Sequence, residues 1–491
     1  MATDKILLIY PGKKERAPYM PLPLLNLGTV LRNAGYDPKI VDTRIQDLKH
    51  LDGEYLLAGI TSMTGPQISH GLAVAGMIRE EDPNIPIVWG GPHATMLPEQ
   101  TAASSLVDIA VSGDGEETII ELANTVRDEG PLKDVNGIAF KKDGVVVSTP
   151  PRGFTDMNAI GSLHYDLVDL RKYIDCREYF SYQSSRGCPH NCTFCFNHCY
   201  SKGGWRAKKP EVVVEELRNI IEEVGANSIT FQEDNSFVDK ERMRSICSAI
   251  IREGWDVKWM AYNRADYFSG YDDEFTRLLG DSGCETLFFG AESGSQRILD
   301  GIGKGITVSQ ITDSVRKCGD YGITPMVSFI IGWPDETPGD LSKTLSLVDE
   351  LRRLNPRTEV CNLWMLIPQP GTPIHETAVS QGMMVHGSLE EWGGWRFDSV
   401  RLPWMSMEAQ SQLDTISNIV RFTHFHERLA SRGPEVKKAW LGGSSLMVAA
   451  YDVFHYLFNI SAEARWRRRY FNHPVEWRLW GAARRLYLDK V

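Results

Sequence analysis

The sequence predicts an α/β chain that ends in mainly helical segments, and three observations carry that prediction. Short apolar runs of strand length recur through residues 1–145 and again from Tyr182 to residue 385. Helix-length amphipathic stretches separate them, the alternation that a parallel sheet requires. Past residue 386 the alternation stops and aromatic, helical stretches take over. The resulting division is 1–145, a linker over 146–180, then 181–385 and 386–491.

In the first region the strands are expected at residues 6–10, 39–42, 56–61 and 85–89, with helices at 24–33 and 68–80. Sheets of this kind bind ligands beyond the carboxyl ends of their strands. Three polar, glycine-bearing segments lie there: Pro11-Gly12-Lys13, Thr61-Ser62-Met63-Thr64-Gly65 and Gly90-Gly91-Pro92-His93. They nominate Gly12, Thr61, Ser62, Gly65, Gly90, Gly91 and His93, although any doubly wound domain carries such loops. Pro150-Pro151 and the lack of a regular period mark the linker. Strands are then expected at 229–232, 257–261, 286–290, 326–331 and 359–366, with helices such as 210–224 and 239–253 between them.

The formal net charge of −11 argues against a general nucleic-acid binder. No basic segment followed by an apolar one opens the chain, so a cytoplasmic protein is expected. Nine cysteines in 491 residues are too few for a disulfide framework, and six of them are scattered singly at 176, 199, 247, 284, 318 and 361. The other three stand in Arg186-Gly187-Cys188-Pro189-His190-Asn191-Cys192-Thr193-Phe194-Cys195. Three thiols cannot complete a four-cysteine zinc or iron site. They suit a four-iron four-sulfur (4Fe-4S) cluster with three irons on Cys188, Cys192 and Cys195 and the fourth open to a small molecule. A partial zinc site, or three buried thiols, is the bland alternative.

The triplet, with Phe194 directly before its last cysteine, resembles that of the radical S-adenosylmethionine (radical SAM) superfamily. The preceding α/β region, with Gly90-Gly91-Pro92-His93 and then Ser112-Gly113-Asp114-Gly115-Glu116, resembles the cobalamin-binding members of that superfamily. The likeness covers residues 1–385. It implies a Rossmann-like cobalamin-binding domain, a partial (β/α)6 radical SAM barrel with the cysteine loop after its first strand, and a helical C-terminal substrate or partner domain. The implied cofactors are the 4Fe-4S cluster, SAM and cobalamin. The Asp-x-His-x-x-Gly motif of other cobalamin proteins is replaced by Tyr10-Pro11-Gly12-Lys13, so cobalamin is expected base-off. Gly113 joins the expected cobalamin contacts, and His93 either touches the cofactor tail or bonds locally. A module that has lost cobalamin is the competing reading of this domain.

For SAM, the resemblance implies a carboxylate on the amine, with Glu233 chosen and Asp234 second, and Arg264 forking onto the carboxylate. Glu292 and Ser293 are assigned to the ribose, and the backbone around Gly332 and Pro334 to the adenine. Each segment taken alone is also an ordinary helix-capping turn. His190, His198 and Cys199 read as loop residues, Cys199 being the candidate for a second nucleophile. Met326 and Trp333 read as packing.

In the C-terminal part, residues 441–460 are apolar, but Asp452 and His455 interrupt them, and a buried helix is expected. Arg465-Trp466-Arg467-Arg468-Arg469-Tyr470, followed by Trp477, Trp480, Arg484 and Arg485, suits an anionic membrane surface, an acidic partner or the chain's own acidic barrel. The implied activity is that of a class B cobalamin-dependent methylase. It would place a methyl group from methylcobalamin on an unactivated carbon of a protein residue, lipid or other small molecule, with an electron donor such as ferredoxin or flavodoxin. The alternatives are a cyclase or oxidase of the same architecture acting on a tetrapyrrole or isoprenoid lipid, and a non-catalytic membrane-associated scaffold.

Overall fold

The computed structural model describes residues 3–15, 18–174, 180–396, 400–420, 423 and 445–472. Two compact units organise the chain: Met1–Ala261 with Asp281–Gly283 and Pro368–Arg401, and Tyr262–Gly280 with Cys284–Ile367 and Leu402–Val491.

The first unit opens with strands β1 (Lys5–Tyr10), β2 (Asp37–Asp42), β3 (Leu57–Thr61), β4 (Ile87–Gly90), β5 (Ile109–Val111), β6 (Ile138–Lys142) and β7 (Val145–Ser148). They form one sheet in the order β2-β1-β3-β4-β5-β6-β7. Ile6, Leu7, Leu8 and Ile9 are all buried, as a central strand covered on both faces requires. The order turns at β1 and β3, where a doubly wound sheet opens its ligand crevice. The four expected strands and two helices are present with ends moved by one or two residues. The antiparallel hairpin β6–β7 and the helix Glu116–Arg127 escaped the sequence reading. The expected linker holds β7 and short helical turns at Met157–Ala159, Tyr165–Leu167 and Arg171–Ile174.

The same unit continues with β8 (Phe180–Tyr182), the antiparallel ribbon β9 (Ser185–Gly187) and β10 (Trp205–Ala207), then β11 (Ser228–Phe231) and, as far as Ala261, β12 (Lys258–Asn263). Strands β8, β11 and β12 pair in parallel. Tyr182, Phe231 and Trp259 meet edge to face across them, with 5.6 Å between successive ring centres. The cysteine loop follows the first strand of this sheet, β8, as expected, and the ribbon β9–β10 frames it. The second unit holds the parallel strands β13 (Cys284–Glu292), β14 (Thr324–Ile331) and β15 (Glu359–Met365).

Residues 386–396, expected with the C-terminal helices, belong to the first unit. The short helix Leu389–Gly393 is fastened to the N-terminal sheet domain. Buried Trp392 donates its indole N–H to Gln100 Oε1 at 2.6 Å, and Ser69 Oγ donates to the Gly393 carbonyl at 2.5 Å. In the second unit the helix Ser445–Arg468 buries Phe458, Ala462 and Trp466 but exposes Val453, Tyr456, Leu457 and Ile460, so the expected buried helix is buried on one side only. Trp466 Nε1 and Arg469 Nη2 both donate to Asp349, at 2.7 and 2.5 Å. These two residues of the arginine–tryptophan motif therefore pair with an acidic group of the chain itself. Among the described residues no helix is long and apolar enough to cross a membrane. Cys176, residues 441–444, Trp477, Trp480, Arg484 and Arg485 lie outside the described residues.

Trp392→Ala removes a buried indole and leaves the Gln100 amide without its donor, a loss of about 3–5 kcal/mol. The expected outcome is a lower melting temperature together with faster amide exchange in 386–396. Unchanged exchange there would show that other contacts hold the segment.

Candidate cluster and cofactor site

Cys188 leaves the end of β9, and the loop returns as β10. Gly187 has φ of 87°, and a Cβ there would lie 2.1 Å from the Gly204 carbonyl oxygen, so only glycine lets the ribbon close before the first cysteine. Cys188, Cys192 and Cys195 stand in no disulfide, Cys192 buried and the other two half-buried. Among the described residues no three His, Cys, Asp or Glu side chains stand as ligands of a single ion. A four-iron cluster does not ask for that, because each cysteine takes a different iron. The donor set fits it. Asn197 Oδ1, Ser201 Oγ, Gln232 Oε1 and Ser236 Oγ, which follow the loop and β11 in sequence, are buried without a hydrogen-bond partner. Such groups suit a site that a bound group completes.

The end of β11 grips the strand that leads into Cys188. Glu233 Oε1 accepts from the backbone N–H and hydroxyl of Ser184 at 2.5 and 2.6 Å and from the Ser185 N–H at 3.0 Å; Oε2 accepts from the Ser185 hydroxyl. Asp234 Oδ2 accepts from the Gly187 N–H at 2.8 Å. Asn235 Nδ2 donates to Cys188 Sγ at 3.8 Å. Three consecutive side chains thus hold successive residues of 184–188. The carboxylate chosen for the SAM amine, Glu233, is engaged here with both oxygens, and so is one oxygen of Asp234, whose pKa burial raises.

A second set of contacts fastens the ribbon itself. Arg186 and Arg206 are direct cross-strand partners. Arg206 Nη2 and Arg186 Nη1 share Asp114 Oδ1 at 2.6 and 3.5 Å, and Arg186 Nη2 reaches Glu116 Oε1 at 2.6 Å. The Asp114 side chain is fully buried. None of these four residues was singled out from the sequence. The signal was two arginines flanking the cysteines and two acids in Ser112-Gly113-Asp114-Gly115-Glu116.

The cobalamin loops divide in two. A Cβ at Gly90 or at Gly113 would meet nothing within 4 Å, so both leave open space at the ends of the neighbouring strands β4 and β5. That cradle fits a large flat cofactor approaching the backbone. Gly91 is different: its φ is 94°, and a Cβ would lie 2.7 Å from the Ser62 carbonyl oxygen, so it serves the packing of β3 against β4. Ser62 Oγ donates to the Gly90 carbonyl at 2.9 Å, Thr61 is half-buried, and Gly65 opens the helix Pro66–Glu81. Gly12 packs on Arg44, and its N–H donates to Thr43 Oγ1 at 2.8 Å. His93 is fully buried. Its Nδ1 lies 3.0 Å from Thr64 Oγ1, and its ring meets Trp392 edge-on at 5.8 Å. Of its two readings the local one holds, and burial lowers its pKa to about 4.

In the second unit Arg264 Nε and Nη2 donate to Asp266 at 3.0 and 3.3 Å, and Nη2 also to the Lys304 carbonyl at 2.6 Å, so the expected fork faces inside the protein. Lys304 Nζ donates to Glu292 Oε1 at 2.7 Å, and Glu292 has the left-handed φ of 60° that functional turns favour. Ser293, chosen for the ribose, is fully buried; its hydroxyl lies 3.2 Å from Thr344 Oγ1 and accepts from the Ser295 N–H. That burial removes it from the surface a ribose would use. The Gly332 N–H donates to Glu336 Oε2 at 2.6 Å, and Pro334 is half-buried. Glu336 Oε1 is buried without a partner, and burial pushes this carboxyl up to about 7. In the first unit Phe194 is half-buried. Cys199 Sγ donates to the Gly371 carbonyl at 2.7 Å, and burial raises its pKa, which leaves a thiol rather than a thiolate nucleophile. The side chain of His198 lies outside the described residues.

Residues 182–348 match the radical SAM superfamily and residues 16–123 the B12 binding domain. An uncharacterized methyltransferase of Pyrococcus horikoshii is 32% identical over 401 residues, covering 78% of this chain and 85% of that protein. The anaerobic magnesium-protoporphyrin IX monomethyl ester cyclase of Synechocystis sp. is 26% identical, over 68% of each chain. The solved structure of the cobalamin-dependent SAM radical enzyme OxsB, with aqua-cobalamin and SAM bound, aligns with a TM-score of 0.72 at 17% identity, over 93% of this chain and 72% of that one, and shows the same fold. The two matched domains imply a 4Fe-4S cluster, SAM and cobalamin. With the cysteine triplet on its ribbon and the cradle at Gly90 and Gly113, these likenesses place the chain in the cobalamin-dependent radical SAM methyltransferase family.

Proposed function

We propose that this protein transfers a methyl group from methylcobalamin to an unactivated carbon of a protein residue, a lipid or another small molecule. One observation carries the reading. The ribbon bearing the three cysteines is anchored by Asp114 and Glu116 to the loop that contains Gly113 of the cobalamin domain. When bound, the cofactors would supply hydrogen removal and the methyl group; the chain supplies their placement. In this reading Cys188, Cys192 and Cys195 each hold one iron, and Phe194 keeps the last turn of the loop against its neighbours. Gly90 and Gly113 give cobalamin room. It sits base-off, because residues 10–14 contain no histidine and His93 is buried. Glu292, Gly332 and Pro334 keep their SAM roles, supported by their order after the cysteines and by the left-handed backbone at Glu292. Arg264 orients Lys304, which meets Glu292. The domains are those of the sequence division, with 386–396 moved to the N-terminal part. A cytoplasmic ferredoxin or flavodoxin delivers the electron. Peripheral membrane contact belongs to the same reading, supported by Arg467 and Arg468 at the end of a helix that exposes Val453, Tyr456, Leu457 and Ile460.

A second reading, ring closure or oxidation of a tetrapyrrole, is supported by the likeness to the cyclase. Anaerobic reconstitution with methyl-labelled SAM and candidate substrates, followed by mass spectrometry, separates the two. A labelled methyl gain supports methylation; a mass loss without label supports cyclisation.

Cys192→Ala should abolish SAM cleavage and lower bound iron. Cys247→Ala should leave the iron content at wild type, because that thiol is buried away from the loop and its pKa is pushed up to about 12. Wild-type cleavage by the Cys192 variant would refute the cluster assignment.

Gly90→Leu fills the cradle without touching the fold, so cobalamin uptake should fall at least tenfold while the melting temperature holds. Gly91→Ala should instead destabilise the domain by roughly 1–3 kcal/mol through its left-handed backbone and its contact with Ser62. Equal cobalamin retention in the Gly90 variant and the wild type would displace the cofactor from this loop.

Glu336 gives a pH signature. Its folded pKa, about 7, lies above the ordinary 4.5, so the stability it contributes is full below pH 4.5 and is lost as pH rises through 7. Urea midpoints of the wild type should fall across that window relative to Glu336→Gln. Parallel profiles would show that Glu336 titrates alike in the folded and unfolded protein.

A further inference from the structure

We propose that Asn235 raises the reduction potential of the cluster by donating an amide hydrogen bond to the sulfur of Cys188. The proposal rests on the reading of the cysteine loop as the cluster's seat. Asn235 is almost fully buried, and its side chain has one orientation that satisfies both ends. Oδ1 accepts from the Phe237 N–H at 3.3 Å, which turns Nδ2 toward Cys188 Sγ at 3.8 Å. Its carbonyl accepts from the Trp205 indole on β10 at 3.2 Å, so the residue is tied to both strands of the ribbon. Glu233 and Asp234, directly before it, hold Ser184, Ser185 and Gly187. The first two side chains of this series therefore fix the path of the strand, and the third reaches the ligand atom itself.

The physical consequence follows from charge. When a one-electron donor of the flavodoxin or ferredoxin class reduces the cluster, it gains one negative charge, shared with the thiolate sulfurs. An N–H dipole pointed at one of those sulfurs in a buried setting stabilises the reduced form more than the oxidised form. Asn235 thus acts through Cys188 and eases the electron transfer that must precede SAM cleavage.

The test is a potentiometric titration of the reconstituted full-length protein without SAM, followed by electron paramagnetic resonance. Asn235→Leu keeps the size and removes the donor. Asn235→Asp also keeps the acceptor for Phe237 and places a carboxylate near the sulfur. Both should load wild-type iron and sulfide and show a more negative midpoint potential, Asp the lower of the two. Should the Leu variant fail to load, Asn235→Ala, which removes the donor without adding charge, decides. A wild-type midpoint in a fully loaded variant overturns the proposal while leaving the cluster assignment intact. A wild-type protein that binds no iron would instead overturn the assignment beneath it.

Discussion

The cysteine loop depends on a pair of like charges that the ribbon alone cannot hold. Arg186 and Arg206 lie directly opposite each other across β9 and β10, both largely buried. Facing cations in such a ribbon repel, and in a poorly solvated place the repulsion is severe. Asp114 resolves it by accepting from both, and Glu116 takes the second face of Arg186. Removing Asp114 would leave the buried Arg206 without an acid, which costs about 3–5 kcal/mol. The loop that seats the cysteines therefore closes only when residues 112–116 of the N-terminal domain are in place.

Beneath the ribbon the same logic repeats with hydrogen bonds. Arg242 Nη2 donates to the carbonyl and hydroxyl of Ser184 at 3.0 and 2.8 Å, and its Nε donates to the Lys208 carbonyl at 2.7 Å. Lys208 in turn is buried and forked onto Glu216, whose other neighbour is the Tyr182 hydroxyl. Lys208 and Glu216 compensate each other, while Arg242 is held by neutral oxygens and keeps its Nη1 buried without a partner. The polar residues at the end of β11 thus close a network around the strand into Cys188, in which both oxygens of Glu233 are engaged.

Much of the fold was legible in the residues. Ile6 to Ile9 read as a strand because four consecutive apolar residues are buried on both faces, and the helix Pro66–Glu81 read as one because its apolar residues repeat at helical spacing. The hairpin β6–β7 was not legible. It sits at the sheet edge, where Lys141, Lys142 and an exposed Val145 give no apolar alternation. Nor was the return of residues 386–396: Trp392 reads as one more aromatic in an aromatic region until Gln100 and His93 are seen beside it.

The sequence by itself determined the chemistry. Three cysteines at that spacing, after an α/β domain with glycine-rich strand ends, nominate a donor set and give the order of domains, because thiolate count and strand alternation are local properties of the chain. The tertiary structure alone decided how polar groups are shared. Glu233, Arg264 and Ser293 carry the right chemistry for SAM, yet each is engaged by partners inside the protein that sequence spacing does not reveal. A buried polar group must find a partner somewhere, and which one it finds depends on residues brought near only by folding. Asp114 reaching Arg206 across 92 positions, and Asn235 reaching Cys188 across 47, are such pairings.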